Sequence, residues 1–245
     1  MITIIGTGHV FDLSNAINSI LDEKQPDIIC VELDKQRFQS LVYRSKNPDD
    51  YEKRRKNVPL AYNLLARFQD SMAKEYGVQA GDEMLTATSY AQSHQLPVAF
   101  IDMNAQKLFT KMFKKMGFME KLKLLLTGFA GFFISKKRVE KEIETFENDF
   151  DNYIEQIGDK FPTIKRVLID DRNKYMANNL VKASEEYEKV VAVVGDGHIP
   201  GLSEILEKKE VAFEVIRLKE LREKVNGFKN SDESSASFSL EYKEP

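Results

Sequence analysis

At 245 residues, with 42% hydrophobic and 31% charged side chains, the chain has the length and composition of a globular protein with a sizeable buried core. Its net charge of −3 leaves no basic excess to suit nucleic acid as a partner. A single cysteine, Cys30, excludes an intrachain disulfide framework, and with only three histidines the ligand set of a zinc ribbon or finger is missing.

Met1 leads directly into "ITII" without a basic n-region, so no signal peptide is expected. No apolar run reaches the roughly 18 residues of a transmembrane helix. The expectation is a cytoplasmic protein that can sit peripherally on a membrane and can form homo-oligomers. "ITIIG" (2–6) is a continuous apolar run closed by glycine, which predicts a buried strand. "LSNAINSILDE" then puts Leu13, Ile17, Ile20 and Leu21 on one helical face, with Ser14 as the cap. "DIICVEL" (27–33) predicts a second buried strand containing Cys30, which completes a β-α-β unit.

Residues 34–43 read as a helix capped by Asp34, and 45–57 as a polar loop or frayed helix. Residues 59–95 read as mostly helical with breaks near Gly77 and Gly81, and "LPVAFID" (96–102) as a third strand. Residues 104–188 carry no strand signal. Val139, Ile143, Phe146, Phe150, Tyr153 and Ile157 recur at helical spacing there, and Pro162 suits the first turn of a further helix. "KVVAVVG" (189–195), "GLSEILEKK" (201–209) and "VAFEVIRL" (211–218) restore a strand-helix-strand pattern.

The fold expected is therefore α/β: a mainly parallel sheet of about five strands with a long all-helical insertion at about 104–188. Residues 1–228 would form a single domain. Residues 229–245 would be a polar tail or a late edge strand.

Two stretches share one pattern, "IIGTGHVF" (4–11) and "VVGDGHIP" (193–200), and contain two of the three histidines, His9 and His198. Each follows a strand and precedes a helix, and ligands of open parallel sheets bind outside the carboxyl ends of the strands. Gly8 and Gly197 let the backbone approach a ligand there. Three readings stand: a phosphate-cradling turn, two strand-end turns whose histidines only hydrogen-bond, or two imidazoles meeting at one crevice. Against the first, Glu32 lies further from Gly6 than the roughly 20 residues of a dinucleotide fingerprint.

Glu32 closes an otherwise apolar strand, so its carboxylate must be paired, metal-bound or exposed at the strand end. Arg37 and Arg172 are its candidate partners. Two histidines and a carboxylate also have the composition of a metal site, which would suit zinc, manganese, cobalt or iron, or of metal-free acid/base groups. Glu83 sits early in a helix, where the helix dipole favours an acid. Asp102 ends the third strand. In "IDDRNKYMA", Arg172 and Tyr175 lie within one turn, either as exposed surface or reaching into the crevice. His94 precedes a strand, at the opposite sheet edge, and reads as structural. The apolar "LLLTGFAGFFI" (124–134) reads as a buried helix, a lid or a membrane-facing surface.

Together "IIGTGHV", "CVELDKQRF", "GDEM", "FIDMN", "DDRNKYMA" and "VVAVVGDGHIPGL" resemble the TraB/PrgY pheromone-shutdown family, within the superfamily that includes GumN and Tiki proteins. The resemblance implies an erythromycin-esterase-like/ChaN-like core and a metal-dependent peptidase role. It carries His9, His198 and Glu32 over as the motif histidines and acid, Glu83 as the acid of "GxEM", and Arg172 as the arginine of "RxxYM". The function expected is a metal-dependent hydrolase acting on a peptide. Glu32 or Glu83 would be its base, and Arg172 the oxyanion or carboxylate binder. Gly8, Gly197, Asp102, Arg172 and Tyr175 would line the substrate site. A non-enzymatic module sequestering a peptide or hydrophobic ligand, and a metal-free esterase-like hydrolase, are the alternatives.

Overall fold

A computed structural model of the chain describes residues 1–8, 12–47, 81–131, 156 and 158–223, with backbone only at 125–131. His9, the polar stretch 48–57, the helical stretch 59–80, the amphipathic series Val139–Ile157 and the tail 229–245 lie outside the described residues.

In chain order the elements are β1 (Ile2–Thr7), α1 (Ser14–Lys24), β2 (Ile28–Val31), α2 (Lys35–Lys46), α3 (Asp82–Ser93), β3 (Val98–Phe100), α4 (Ala105–Lys115) and α5 (Phe118–Gly131). Then come α6 (Pro162–Lys165), a π-helical turn (Arg166–Asp170), α7 (Asp171–Glu186), β4 (Val190–Gly195), a 3-10 turn (Asp196–His198), α8 (Ile199–Lys208) and β5 (Phe213–Ile216). The five strands form one sheet in the order β3-β2-β4-β1-β5, with every pairing parallel. This is the expected fold class. Among the described residues of 104–188 the regular elements are all helical, and α7, the last of these helices, is itself a covering helix of the sheet.

The strand runs "ITII", "IICV" and "VVAVV" are apolar at consecutive positions because β1, β2 and β4 are buried on both faces. Ile2, Ile4, Ile28, Cys30, Val190, Ala192 and Val194 face α7 and α8. Ile5, Ile29, Val31, Val191 and Val193 face α1 and α3. The alternation follows the two-residue strand period. Burial pushes the Cys30 thiol up to about 12, so it behaves as a packing group.

Crossovers β1 to β2 and β2 to β3 run one way along the sheet, over the α1 and α3 face. Crossovers β3 to β4 and β4 to β5 run the other way, over the α7 and α8 face. Right-handed connections require that opposite directions use opposite faces. The loop leaving β4 therefore turns away from those leaving its neighbours β1 and β2. That is the topological switch at which α/β sheets open a crevice at their carboxyl edge.

Two local expectations change. Ser14 does not cap α1: it is the first helical residue, its N–H donates to Asp12 Oδ1 at 3.1 Å, and its hydroxyl meets Thr86 Oγ1 at 3.1 Å. The helix predicted from Pro162 onward does not continue evenly but widens into the π turn, where Asp171 N–H donates to Arg166 O five residues back. Asp34 caps α2 as expected, accepting from the N–H groups of Gln36 at 2.9 Å and Arg37 at 3.3 Å. Its other oxygen accepts from Ala105 N–H at 3.2 Å, so one carboxylate ties the starts of α2 and α4 together. His94 sits at the end of α3, before β3, stacked on Tyr90 at 3.9 Å.

Ile17 is fully buried between α1 and the sheet. Replacing Ile17 with Ala should destabilise the protein by about 2–5 kcal/mol, seen as a lower denaturant midpoint with an unchanged slope.

Candidate functional site

The two "GxGH" stretches come together as strands. β1 and β4 are neighbours, with Gly6 opposite Val194 and Thr7 opposite Gly195. A side chain at Gly6 would collide with Asp196 Oδ1 and Ile199, so the close approach of the second turn to β1 needs a residue without a Cβ. Asp196 is not aimed at the crevice. Its oxygens accept from Arg217 Nε at 3.0 Å, Arg217 Nη2 at 2.7 Å and Leu218 N–H at 2.8 Å, which clamps the turn to the end of β5. Gly197 lies within the 3-10 turn and Gly8 just past β1, both partly buried.

Beyond that clamp the chain enters α8 and His198 is buried, 6% exposed. Its Nδ1 lies 2.6 Å from Asn173 Oδ1, and because a carbonyl oxygen only accepts, Nδ1–H must donate. The other ring nitrogen, Nε2, faces Glu32 Oε1 at 3.3 Å. In a neutral ring two lone pairs would then oppose each other, so a proton or a cation between them is needed to make the contact attractive.

Glu32 follows Val31 of β2, and its N–H donates to Val193 O of β4 at 3.0 Å. Strand alternation turns its side chain to the α7 and α8 face. Oε2 accepts from Gly195 N–H at 2.6 Å, and Oε1 is in contact with Arg172 Nη2. Burial raises the Glu32 pKa. The facing His198 and Arg172, with hydrogen bonds from His198 and Gly195, outweigh that and hold the carboxyl well below its usual range.

Arg172 is held on several sides. Its Nε and Nη2 fork onto Asp102 at 2.9 and 2.8 Å, and Nη1 donates to Leu168 O, in the π turn, at 3.3 Å. Burial lowers the Arg172 pKa, but Glu32 and Asp102 outweigh it and drive the value further up, so the charge is permanent. Asp102 also accepts from Met103 N–H at 2.7 Å and lies 3.5 Å from Arg37 Nη1. Two guanidinium groups thus balance two buried carboxylates.

The structure brings Glu32, Arg172, Asp102 and His198 together. Glu83 is buried in the first turn of α3, in the layer on the other face of the sheet. Tyr175 is 45% exposed on α7. His9, and with it the meeting of the two imidazoles, lies outside the described residues. Asn173 is the member of the cluster that motif reading passes over. Its signal was available: it shares the helical stripe of Met176, Ala177 and Leu180, all buried, and a polar side chain on a buried stripe requires a partner. Gly201 leaves the room for it, because a side chain there would collide with Asn173 Nδ2.

As a metal centre the cluster fits in donor chemistry. It offers one carboxylate and one imidazole whose orientation is fixed by its second nitrogen. The guanidinium on the same Glu32 oxygen competes with a metal. Among the described residues no group of three or more His, Cys, Asp or Glu side chains is arranged to hold an ion.

An α/β domain with a polar network at its switch point defines a fold and an edge, and sequence comparison supplies the lineage. The model of the TraB/PrgY/gumN family matches residues 1–214, and the chain belongs to that family. It is similar to the protein named "Uncharacterized protein MJ1365" of Methanocaldococcus jannaschii, 31% identical over 221 residues, covering 85% of this chain and 54% of the relative. It is also similar to a TraB domain-containing protein of Mus musculus, 25% identical over 234 residues, covering 81% of this chain and 61% of the relative. The chain therefore spans between half and two thirds of the length of these relatives.

Arg172→Ala leaves two buried carboxylates without their main counter-charge and should cost about 3–5 kcal/mol of stability in denaturant unfolding. Asn173→Ala strands the His198 Nδ1–H and should cost about 1–3 kcal/mol. Glu32 has a lower pKa folded than its unfolded value of about 4.3, so its contribution is complete above that pH. It is lost as pH falls toward the folded value. Unfolding measured at a series of pH values should show that acid loss in the wild type and a shallower one in Glu32→Gln.

Proposed function

We propose that the chain is a peptidase-type hydrolase whose reacting groups are His198 and Glu32 at the carboxyl edge of β4 and β2. The observation that carries this reading is the buried Nε2 of His198 facing Glu32 Oε1 at 3.3 Å, with Nδ1 tied to Asn173. Such a pair binds a positive species, whether a proton taken from a nucleophile or a divalent ion. Glu32 and His198 would hold that ion, with His9 as the third ligand. Bound there, it would lower the pKa of water and polarise the scissile carbonyl.

The chain's own groups have separable tasks. Arg172 fixes the Glu32 carboxylate and supplies a permanent positive charge toward a developing oxyanion or a peptide carboxylate. Asp102 aims Arg172, and Asn173 aims His198. Glu32 accepts the proton of the attacking water, whereas Glu83, across the sheet, takes no part at this site. Gly8, Gly197 and Tyr175 would border the bound peptide.

A metal-free version has its own support, because Arg172 touches the Glu32 oxygen that would bind the ion. His198 would then be the general base through Nε2, oriented by Asn173, and Glu32 would stabilise the imidazolium once the proton is taken.

The test is metal content of the purified protein together with peptide cleavage, with and without chelator. The expected result is a bound divalent ion and chelator-sensitive cleavage that falls roughly 10²–10⁴-fold in His198→Ala and Glu32→Gln. Chelator-resistant cleavage lost in His198→Ala selects the metal-free version. Peptide binding without cleavage overturns the enzyme reading in favour of sequestration.

A further inference from the structure

The outer face of α4 and α5 combines exposed apolar side chains with concentrated positive charge. From Met103 to Leu124 the lysines are 107, 111, 114, 115, 121 and 123, and Glu120 is the lone acid. Glu120 does not face outward: it is buried and accepts from Thr163 N–H at 2.8 Å. Lys111 pairs with Asp171 at 2.6 Å and Lys115 also acts on that carboxylate; the side chains of Lys114, Lys115, Lys121 and Lys123 are exposed. Beside them Phe118 is 78%, Met119 64%, Phe113 43% and Leu122 38% exposed.

The arrangement is ordered. In α5 the inward side is set by buried Glu120 and half-buried Leu124. At about 100° per residue, Phe118, Leu122 and Met119 then form one outward stripe, with Lys121 on one flank and Lys123 on the other. Over residues 118–124 this narrow apolar stripe with a cation on each side matches a helix surface lying in a membrane interface, where lysine stems follow the apolar surface and their ammonium groups reach lipid phosphates. Among the described residues no helix is long and apolar enough to cross a membrane, so the face would lie on the bilayer.

We propose that the α4–α5 face docks on an anionic lipid surface. Phe118, Met119 and Leu122 would enter the headgroup boundary, and Lys114, Lys115, Lys121 and Lys123 would pair with lipid phosphates. Charge complementarity selects this occupant: the face is strongly basic, whereas the whole chain is net negative at −3 and has no general attraction to anionic surfaces. A lipid surface also needs no matching shape, which suits side chains that project singly. The proposal is independent of any hydrolytic activity.

The test is co-sedimentation of the full chain with vesicles of phosphatidylcholine alone or mixed with phosphatidylglycerol. Binding is expected with the mixed vesicles only, weakening as salt rises. Lys121→Gln with Lys123→Gln should lower partitioning roughly thirtyfold. Phe118→Ser with Met119→Ser should lower it comparably, while circular dichroism and the unfolding midpoint stay those of the wild type. The proposal is overturned if mixed vesicles do not bind the wild type, or if both double variants bind as it does. It is also overturned if the wild type forms, without lipid, a dimer that Phe118→Ser with Met119→Ser abolishes, since the face would then cover a second copy.

Discussion

The carboxyl edge of the sheet depends on one buried cation. Arg172 comes from α7 and lies between Glu32, at the end of β2, and Asp102, just past β3. Each carboxylate alone would be costly at its depth, and the guanidinium alone equally so. Together, with Arg37 at the rim beside Asp102, they cancel charge and satisfy each other's geometry. The network joins two strands to the helix that covers them. It therefore fixes how α7 seats on the sheet, and through α7 it fixes Asn173 and then His198.

The second "GxGH" stretch divides its work between neighbouring residues. Asp196 faces β5 and clamps to Arg217 and Leu218, while His198, two residues later, faces β2. Gly6 of the first stretch is the floor beneath Asp196, so the copies are complementary and not equivalent. Their pairing is also staggered. The spelling aligns Gly6 with Gly195, but the sheet pairs Gly6 with Val194. A repeated sequence has in this way produced two different environments on adjacent strands.

Permanent charge and a fixed ring orientation give the cluster its chemical character. Arg172 cannot be discharged where it lies, and His198 has one nitrogen committed to Asn173. Nε2 of the ring is the nitrogen left to deal with a proton or an ion, and the Glu32 oxygen that faces it is shared with Arg172. The chemistry rests on these contacts, because one fold supports many activities.

The sequence by itself determined the strands, their parallel α/β order and the candidate positions. Short apolar runs of β-branched residues bounded by turn residues mark double-faced strands here, and a strand-closing Glu32 or a glycine-flanked His198 is conspicuous in so apolar a setting. It did not determine which groups meet. Glu32 had two candidate arginines, and both sit at the site: Arg172 takes Glu32 and Asp102, while Arg37 reaches Asp102 alone. Only the seating of α7 decides between them. Asp102 was legible as a rim residue, but its commitment to Arg172 depends on a contact between segments far apart in the chain. Asn173 was legible only as a polar residue on a buried stripe that requires a partner, and the partner exists only where α7 and α8 pack closely at Gly201. Local pattern reports what each residue needs, whereas packing decides which partner meets that need.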